Sequence, residues 1–261
     1  MPSISPSITS AFFNSFSHRS LNPRFIIRYT SPESRIGTSV AFRTVVKRSL
    51  SFLQGSGAAR ALSNMSANGG DAEKSVAHFN LSPTSALKIQ KGDITRWFID
   101  GSSDAIVNPA NERMLGGGGA DGAIHRAAGP ELRTACYDVP EVRPGVRCPT
   151  GEARITPGFK LPASHVIHTV GPVYDEDSNA AASLSNAYRN SLRVARESNI
   201  QYVAFPAISC GVYGYPFEEA AGVAISTIRD RCNDIKEVHF VLFSDDIYSV
   251  WVKKAEELLR N

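Results

Sequence analysis

Ala105-Ile106-Val107-Asn108-Pro109-Ala110-Asn111, followed by Gly116-Gly117-Gly118-Gly119-Ala120-Asp121-Gly122-Ala123-Ile124-His125, is the stretch on which the reading of this chain turns. A short apolar run leads into two asparagines, then four consecutive glycines, then an aspartate opening an alanine-rich segment. That order reads as strand, tight loop and helix N-terminus. Glycine lets backbone approach a ligand closely, and the unpaired N–H groups of a first helical turn point at it. Asn111 and Asp121 add an amide and a carboxylate to the same loop, groups that hydrolysis of a phosphate-bearing substrate can use. The competing reading is a flexible glycine linker. A linker would not be embedded between an apolar strand and a helix.

A second loop of the same kind is Ser209-Cys210-Gly211-Val212-Tyr213-Gly214-Tyr215, after the strand Tyr202 to Phe205 and before Pro216, which is favoured at the first position of a helix. Neither loop carries a Walker Gly-Lys-Ser/Thr or the flanking acid of a dinucleotide-binding fingerprint. Two ordinary turns is the bland alternative; a diphosphate bridged between two helix N-termini is the sharper one.

The remaining pattern alternates. Leu87 to Gln90, Asp104 to Asn108, Ala153 to Thr156, Val166 to Val170, Tyr202 to Phe205 and Val238 to Phe243 read as strands, and Ile94 to Phe98 as a helical turn. Helices are expected from about Gly122 to Tyr137, around Leu184, Tyr188 and Leu192, along Phe217, Ala220, Ala224 and Ile228, and along Ile247, Trp251, Ala255 and Leu258. Asp138 to Pro149 reads as a proline-rich loop. This order predicts an α/β fold with a mixed, mostly parallel sheet covered on both faces.

Up to Asn64 the chain holds eight Lys and Arg against one acid, Glu33, so of the net +3 this region carries +7 and the remainder −4. Basic, serine-containing and acid-poor sequence at the start of a chain predicts a transit peptide over 1–65, for a mitochondrion or chloroplast. A basic nucleic-acid-binding arm competes with it. Met65 is a possible start for a shorter cytosolic or nuclear form. A polar linker is expected over 66–84 and the folded domain over 85–261. Those residues suffice for one α/β core burying roughly 70% of its unfolded surface. Their mild acidity argues against nucleic-acid binding through general charge, and no apolar run approaches the ~20 residues of a membrane span. Cys136, Cys148, Cys210 and Cys232 form no close pair or Cys/His cluster in sequence, so neither a disulfide framework nor a metal site is expected. No cofactor is expected, and the protein should be a monomer.

From about Leu87 onward the chain resembles the macrodomain family, specifically its MacroD-type branch of ADP-ribose-binding hydrolases. Besides the first glycine loop, the resemblance rests on Gly92-Asp93-Ile94-Thr95, His125-Arg126-Ala127-Ala128-Gly129-Pro130, His165-Val166-Ile167-His168-Thr169-Val170-Gly171-Pro172 and Ser209 to Pro216, in the family's order. It implies a three-layer αβα macrodomain whose ligands are ADP-ribose and ADP-ribosylated proteins. By itself Asp93 is an ordinary turn or N-cap residue; the resemblance makes its carboxylate the acceptor of the adenine amino group, with Ile94 touching the same base. Phe243, otherwise core, becomes the aromatic that stacks on adenine. Gly92, Pro109, Ala110, Gly116, Gly117, Gly118, Gly119 and Ala120, with Ser209, Cys210, Gly211, Val212, Tyr213 and Gly214, line the ligand.

The resemblance assigns catalysis to Asp121, positioning or activating a water, and to Asn111, holding the distal ribose against Tyr215. Cys210 reads as a small loop residue rather than a nucleophile, since no His base can be assigned to it. His125 and His168 read as helix-packing and strand residues. Pro109 and Ala120 depart from the alanine and valine common in relatives, and the Thr95–Asp104 link is longer. The implied activity is cleavage of ester-linked ADP-ribose from acidic side chains and from O-acetyl-ADP-ribose. A non-catalytic ADP-ribose reader and an ADP-ribose 1''-phosphate phosphatase are the alternatives.

Overall fold

The computed structural model describes residues 76–232 and 234–260. The expected targeting segment over 1–65 and the first part of the linker lie outside them. Seven strands form one sheet: β1 (Ala77–Ser82), β2 (Ser85–Lys91), β3 (Asp104–Pro109), β4 (Ala153–Pro157), β5 (His165–Thr169), β6 (Tyr202–Phe205) and β7 (Glu237–Leu242), in the order β1-β2-β7-β6-β3-β5-β4. The two end pairs, β1 with β2 and β4 with β5, are antiparallel; every pairing between them is parallel. The sheet is therefore mixed and mostly parallel, as expected.

Five helices cover it: α1 (Gly119–Ala128), α2 (Pro130–Asp138), α3 (Ala180–Glu197), α4 (Phe217–Arg231) and α5 (Asp245–Leu259). Crossovers between parallel strands are right-handed, so the direction in which the chain moves along the sheet selects the face. From β3 towards β5 it runs through α1 and α2 on one face. From β5 back across to β6 and on to β7 it runs through α3 and α4 on the other, where α5 also packs. Two apolar cores result. One holds α3, α4 and α5, with Tyr188, Phe205, Phe240 and Trp251 in mutual ring contact; the other holds Met114, Ile124, Leu132, Val166 and Trp97. This is the three-layer αβα arrangement.

Three elements differ from their expected bounds. The polar lead-in contains β1, whose residues pair with β2, so the fold begins inside the expected 66–84 linker. The single helix expected from Gly122 to Tyr137 is two helices: it starts at Gly119 and breaks at Gly129, whose φ of +89° suits glycine, with Pro130 opening α2. The last strand stops at Leu242, one residue before Phe243.

Candidate active site

The strand order reverses between β3 and β6: from β3 the chain proceeds outward through β5, and from β6 outward through β7. Diverging loops at such a switch point leave a crevice at the carboxyl ends of the strands. The two glycine loops are the ones that flank it, one after β3 and one after β6. Asp93 follows β2 and Phe243 follows β7, its neighbour, so both stand at the same edge of the sheet on the β6 side of the crevice.

The first loop is built to leave donors unpaired. Met114, fully buried at φ +61°, pins it to the core, and the N–H groups of Arg147 and Cys148 bond the Glu112 carbonyl beneath it. Gly118 caps α1 without a side-chain acceptor, so the N–H groups of the first turn face outward. A methyl group on Gly118 or Gly119 would meet open space, but one on Gly117 would lie 2.9 Å from Asp121 Oδ2 and 3.2 Å from Asn111 Nδ2. Asp121 and Asn111 thus converge on one point above Gly117. Asn111 Nδ2 donates to the Gly116 carbonyl at 3.1 Å and its Oδ1 accepts from the Arg113 N–H, which braces the loop. Pro109 and Ala110 shape the loop's entry; the Ala110 N–H bonds the Thr169 carbonyl at 2.9 Å, keeping β3 beside β5 despite the proline.

Asp121 lies in the first turn of α1, only 4% exposed. Burial pushes its carboxyl up from the ordinary range, opposed by a 2.8 Å hydrogen bond from Asn108 Nδ2 to Oδ1 and by the nearby His125 ring. A carboxylate drawn toward neutral pH beside anion-binding N–H groups is the profile of a general base.

In the second loop Ser209 sits at φ +65° and Gly214 at φ +68°, and the Tyr215 N–H closes the turn on the Ser209 carbonyl at 3.0 Å. Among the described residues no acceptor faces the N–H groups of Gly211, Val212 and Tyr213. Ser209 Oγ is buried without a partner, and Gly171 packs so tightly against this side chain that a methyl group there would collide with it. Pro216 is the N-cap of α4 rather than its first residue. Burial pushes the Cys210 thiol up to about 12, which suits the reading of a loop residue over a nucleophile.

Two aromatic assignments change. Tyr215, assigned to the ribose, is 2% exposed, edge-on to Tyr174 with ring centres 4.7 Å apart. Tyr213 is the ring in the crevice: half-buried, its hydroxyl is pushed up by burial and then by the carboxylates of Asp121, Glu112 and Glu176. Phe243 is not core; it stands 86% exposed beyond β7. Asp93 caps the short turn Ile94–Arg96, its Oδ1 accepting from the Thr95 N–H at 2.9 Å and from Thr95 Oγ1 at 2.7 Å, which holds the carboxyl below its usual range. Its side chain remains half exposed, so the cap leaves Oδ2 accessible. Gly92 is engaged with the Leu242 carbonyl at 2.9 Å. The Ile94 side chain is buried in the core, so this residue can offer a ligand main chain only.

Sequence reading missed a cluster behind Asp121. His125 Nε2, from α1, approaches Asp121 Oδ1 to 3.4 Å without hydrogen-bonding alignment. His168 on β5 is fully buried, with Nδ1 3.1 Å from Asn108 Nδ2 and Nε2 2.9 Å from Thr156 Oγ1. Cys136 Sγ on α2 lies 3.8 Å from His168 Nε2. The donor atoms of His125, Cys136 and His168 come within 4.8 Å of one another, a grouping that could hold a metal ion and that chain order gave no hint of. Two features weigh against it: burial pushes the Cys136 thiol up to about 12, and His168 Nε2 is already bonded to Thr156.

Comparison with known proteins agrees with this geometry. The Macro domain family model matches residues 107–224, which contain both glycine loops. A macro domain-containing protein of Xanthomonas campestris pv. campestris is 50% identical over 169 residues, covering 63% of this chain and 92% of the relative. An O-acetyl-ADP-ribose deacetylase of Klebsiella pneumoniae is 49% identical over 164 residues, covering 61% and 90%. The Oceanobacillus iheyensis macrodomain solved with ADP superposes with a TM-score of 0.66 at 42% identity, covering 72% of this chain and 98% of that one. With matching fold, loops and near-complete coverage of its relatives, this chain belongs to the macrodomain family.

Proposed function

We propose that the crevice binds ADP-ribose and that the protein hydrolyses ester-linked ADP-ribose, from ADP-ribosylated acidic side chains and from O-acetyl-ADP-ribose. The observation that carries the reading is Asp121: a buried carboxylate with one oxygen held by Asn108 and the other turned over Gly117, between two sets of unpaired N–H groups. The diphosphate would take those N–H groups, the adenine would lie between Asp93 and Phe243, and the distal ribose would sit by Asn111 and Tyr213. Asp121 Oδ2 would accept a proton from the water whose oxygen attacks the ester, giving ADP-ribose and a free carboxylic acid. The names of the Klebsiella deacetylase and the ADP-bound Oceanobacillus structure support this ligand class.

The decisive experiment is single-turnover release of ADP-ribose from an ADP-ribosyl-glutamate protein and from O-acetyl-ADP-ribose, beside calorimetric titration with ADP-ribose and AMP. Release from both esters is expected, with ADP-ribose bound more tightly than AMP, which lacks the second phosphate and distal ribose. Tight binding without release would leave a reader. Equal affinity for AMP would remove the bridged diphosphate.

A further inference from the structure

Behind Asp121 runs a buried chain of polar groups: Thr156 on β4, His168 on β5, Asn108 on β3 and the carboxylate on α1. Asn108 Nδ2 carries two hydrogens, and two acceptors lie at bonding distance, Asp121 Oδ1 at 2.8 Å and His168 Nδ1 at 3.1 Å. If both bonds are made, His168 Nδ1 is unprotonated, and the ring proton sits on Nε2, where Thr156 Oγ1 waits at 2.9 Å. Asn108 Oδ1 is buried with no partner, so the amide faces the carboxylate with its donor end although its acceptor end goes unused. The reverse orientation would aim Oδ1 at Asp121 Oδ1 and at a bare ring nitrogen, two repulsive contacts. The chain has one self-consistent polarity, and it ends on the carboxylate.

We propose that Asn108 and His168 are positioning residues, which lock Asp121 with Oδ1 bound and Oδ2 presented above Gly117 and which keep it ionised for catalysis. The inference rests on the hydrolase reading for what Asp121 does, but the locking concerns the free protein. A fixed carboxylate meets its water in one geometry instead of sampling several, and a donor to the charged form counters burial. Burial holds His168 down to about 3, so its ring stays neutral and Nδ1 stays an acceptor at any pH where the enzyme works. The other titratable groups around Asp121 are His125 on its own helix, Cys136 on α2 and Tyr213 in the loop after β6. Burial lowers His125 and raises the other two, so all three are neutral near pH 7 and do not replace Asn108.

The test is the Asp121 carboxyl titration followed by carbon-13 NMR, beside the pH–rate profile, in wild type, Asn108→Leu, His168→Phe, His168→Asn and Thr156→Val. Losing the donor removes stabilisation of the charged form, so the Asp121 midpoint moves up. About one pH unit is expected for Asn108→Leu, the scale of one hydrogen bond to a charge. The acid limb of kcat moves with it, kcat at pH 7 falls about tenfold or more, and KM changes less than twofold. His168→Phe shifts the midpoint in the same direction. His168→Asn, whose amide oxygen can replace Nδ1, restores it, and Thr156→Val shifts it less.

An unchanged midpoint in Asn108→Leu with ADP-ribose binding intact overturns the proposal, as does equal behaviour of His168→Phe and His168→Asn. Should Asn108→Leu not fold, the His168 pair and Thr156→Val decide alone. Should wild type release no ADP-ribose, the hydrolase reading fails, while the NMR midpoints still decide whether Asn108 and His168 hold the carboxylate.

Discussion

At the scale of single residues, the site keeps a carboxylate where water cannot solvate it. Burial raises the Asp121 pKa, so in the folded state it holds its proton to higher pH than in the unfolded chain. Between the unfolded value of about 3.9 and the raised folded value, the native state binds more protons, and stability falls as pH rises through that window. Asp121→Asn keeps an acceptor for Asn108 and removes this penalty. The variant should therefore melt higher than wild type at pH 7, with the gain vanishing below pH 4, while ester cleavage drops by about 10²–10⁴-fold, the usual worth of a general base. Differential scanning calorimetry across pH and single-turnover assays check both halves. Asp121 and Asn111 were legible in the sequence because the loop that holds them is local. Their surroundings were not. Asn108 is embedded in an apolar strand, and His125, Cys136 and His168 meet only once α1, α2 and β5 are packed. Tyr213 and Tyr215 lie two apart, and only the backbone reversal at Gly214 decides which of them turns inward.

Among the elements, the junction of β3, loop and α1 matters most, and its tolerance is set by space rather than by helix propensity. A methyl group on Gly117 would press on Asp121 and Asn111 together, and one on Gly122 would come within 2.5 Å of the Gly117 carbonyl. Gly117→Ala should thus lower turnover at least tenfold with a small change in melting temperature, since the intrusion falls on the site rather than on a core. Near-wild-type turnover in that variant would mean that the loop relaxes freely. The alternation of strands and helices was readable because buried parallel strands are near-continuous apolar runs. β1 was not: His78 and Asn80 alternate with Phe79 and Leu81 along an edge strand paired on one side only, and that alternation is hidden in a polar lead-in. The split between α1 and α2 was missed for a different reason, since one glycine and one proline inside a helical pattern do not announce a φ of +89°.

On the scale of the whole molecule, the order in which strands enter the sheet places the crevice, and the basic N-terminal stretch takes no part in that order. We propose that residues 1–65 direct the protein to an organelle. A reporter fused behind Met1–Ser66 should concentrate there, and the chain begun at Ser66 should keep its melting temperature and ADP-ribose affinity, because β1 starts at Ala77. A diffuse reporter would discard the targeting proposal; a chain that fails to fold would show that the segment belongs to the domain. Chain order made the switch point legible only in outline, since alternation implies parallel strands but does not say which neighbours they choose. Phe243 and Val212, 86% and 94% exposed at the crevice, have a thermodynamic consequence. The empty protein keeps two apolar side chains against water, and a nucleotide that covers them releases that water. Its heat of binding should grow more exothermic with each degree of warming, a negative heat-capacity change, and Phe243→Ser should flatten that slope even where affinity at one temperature changes little.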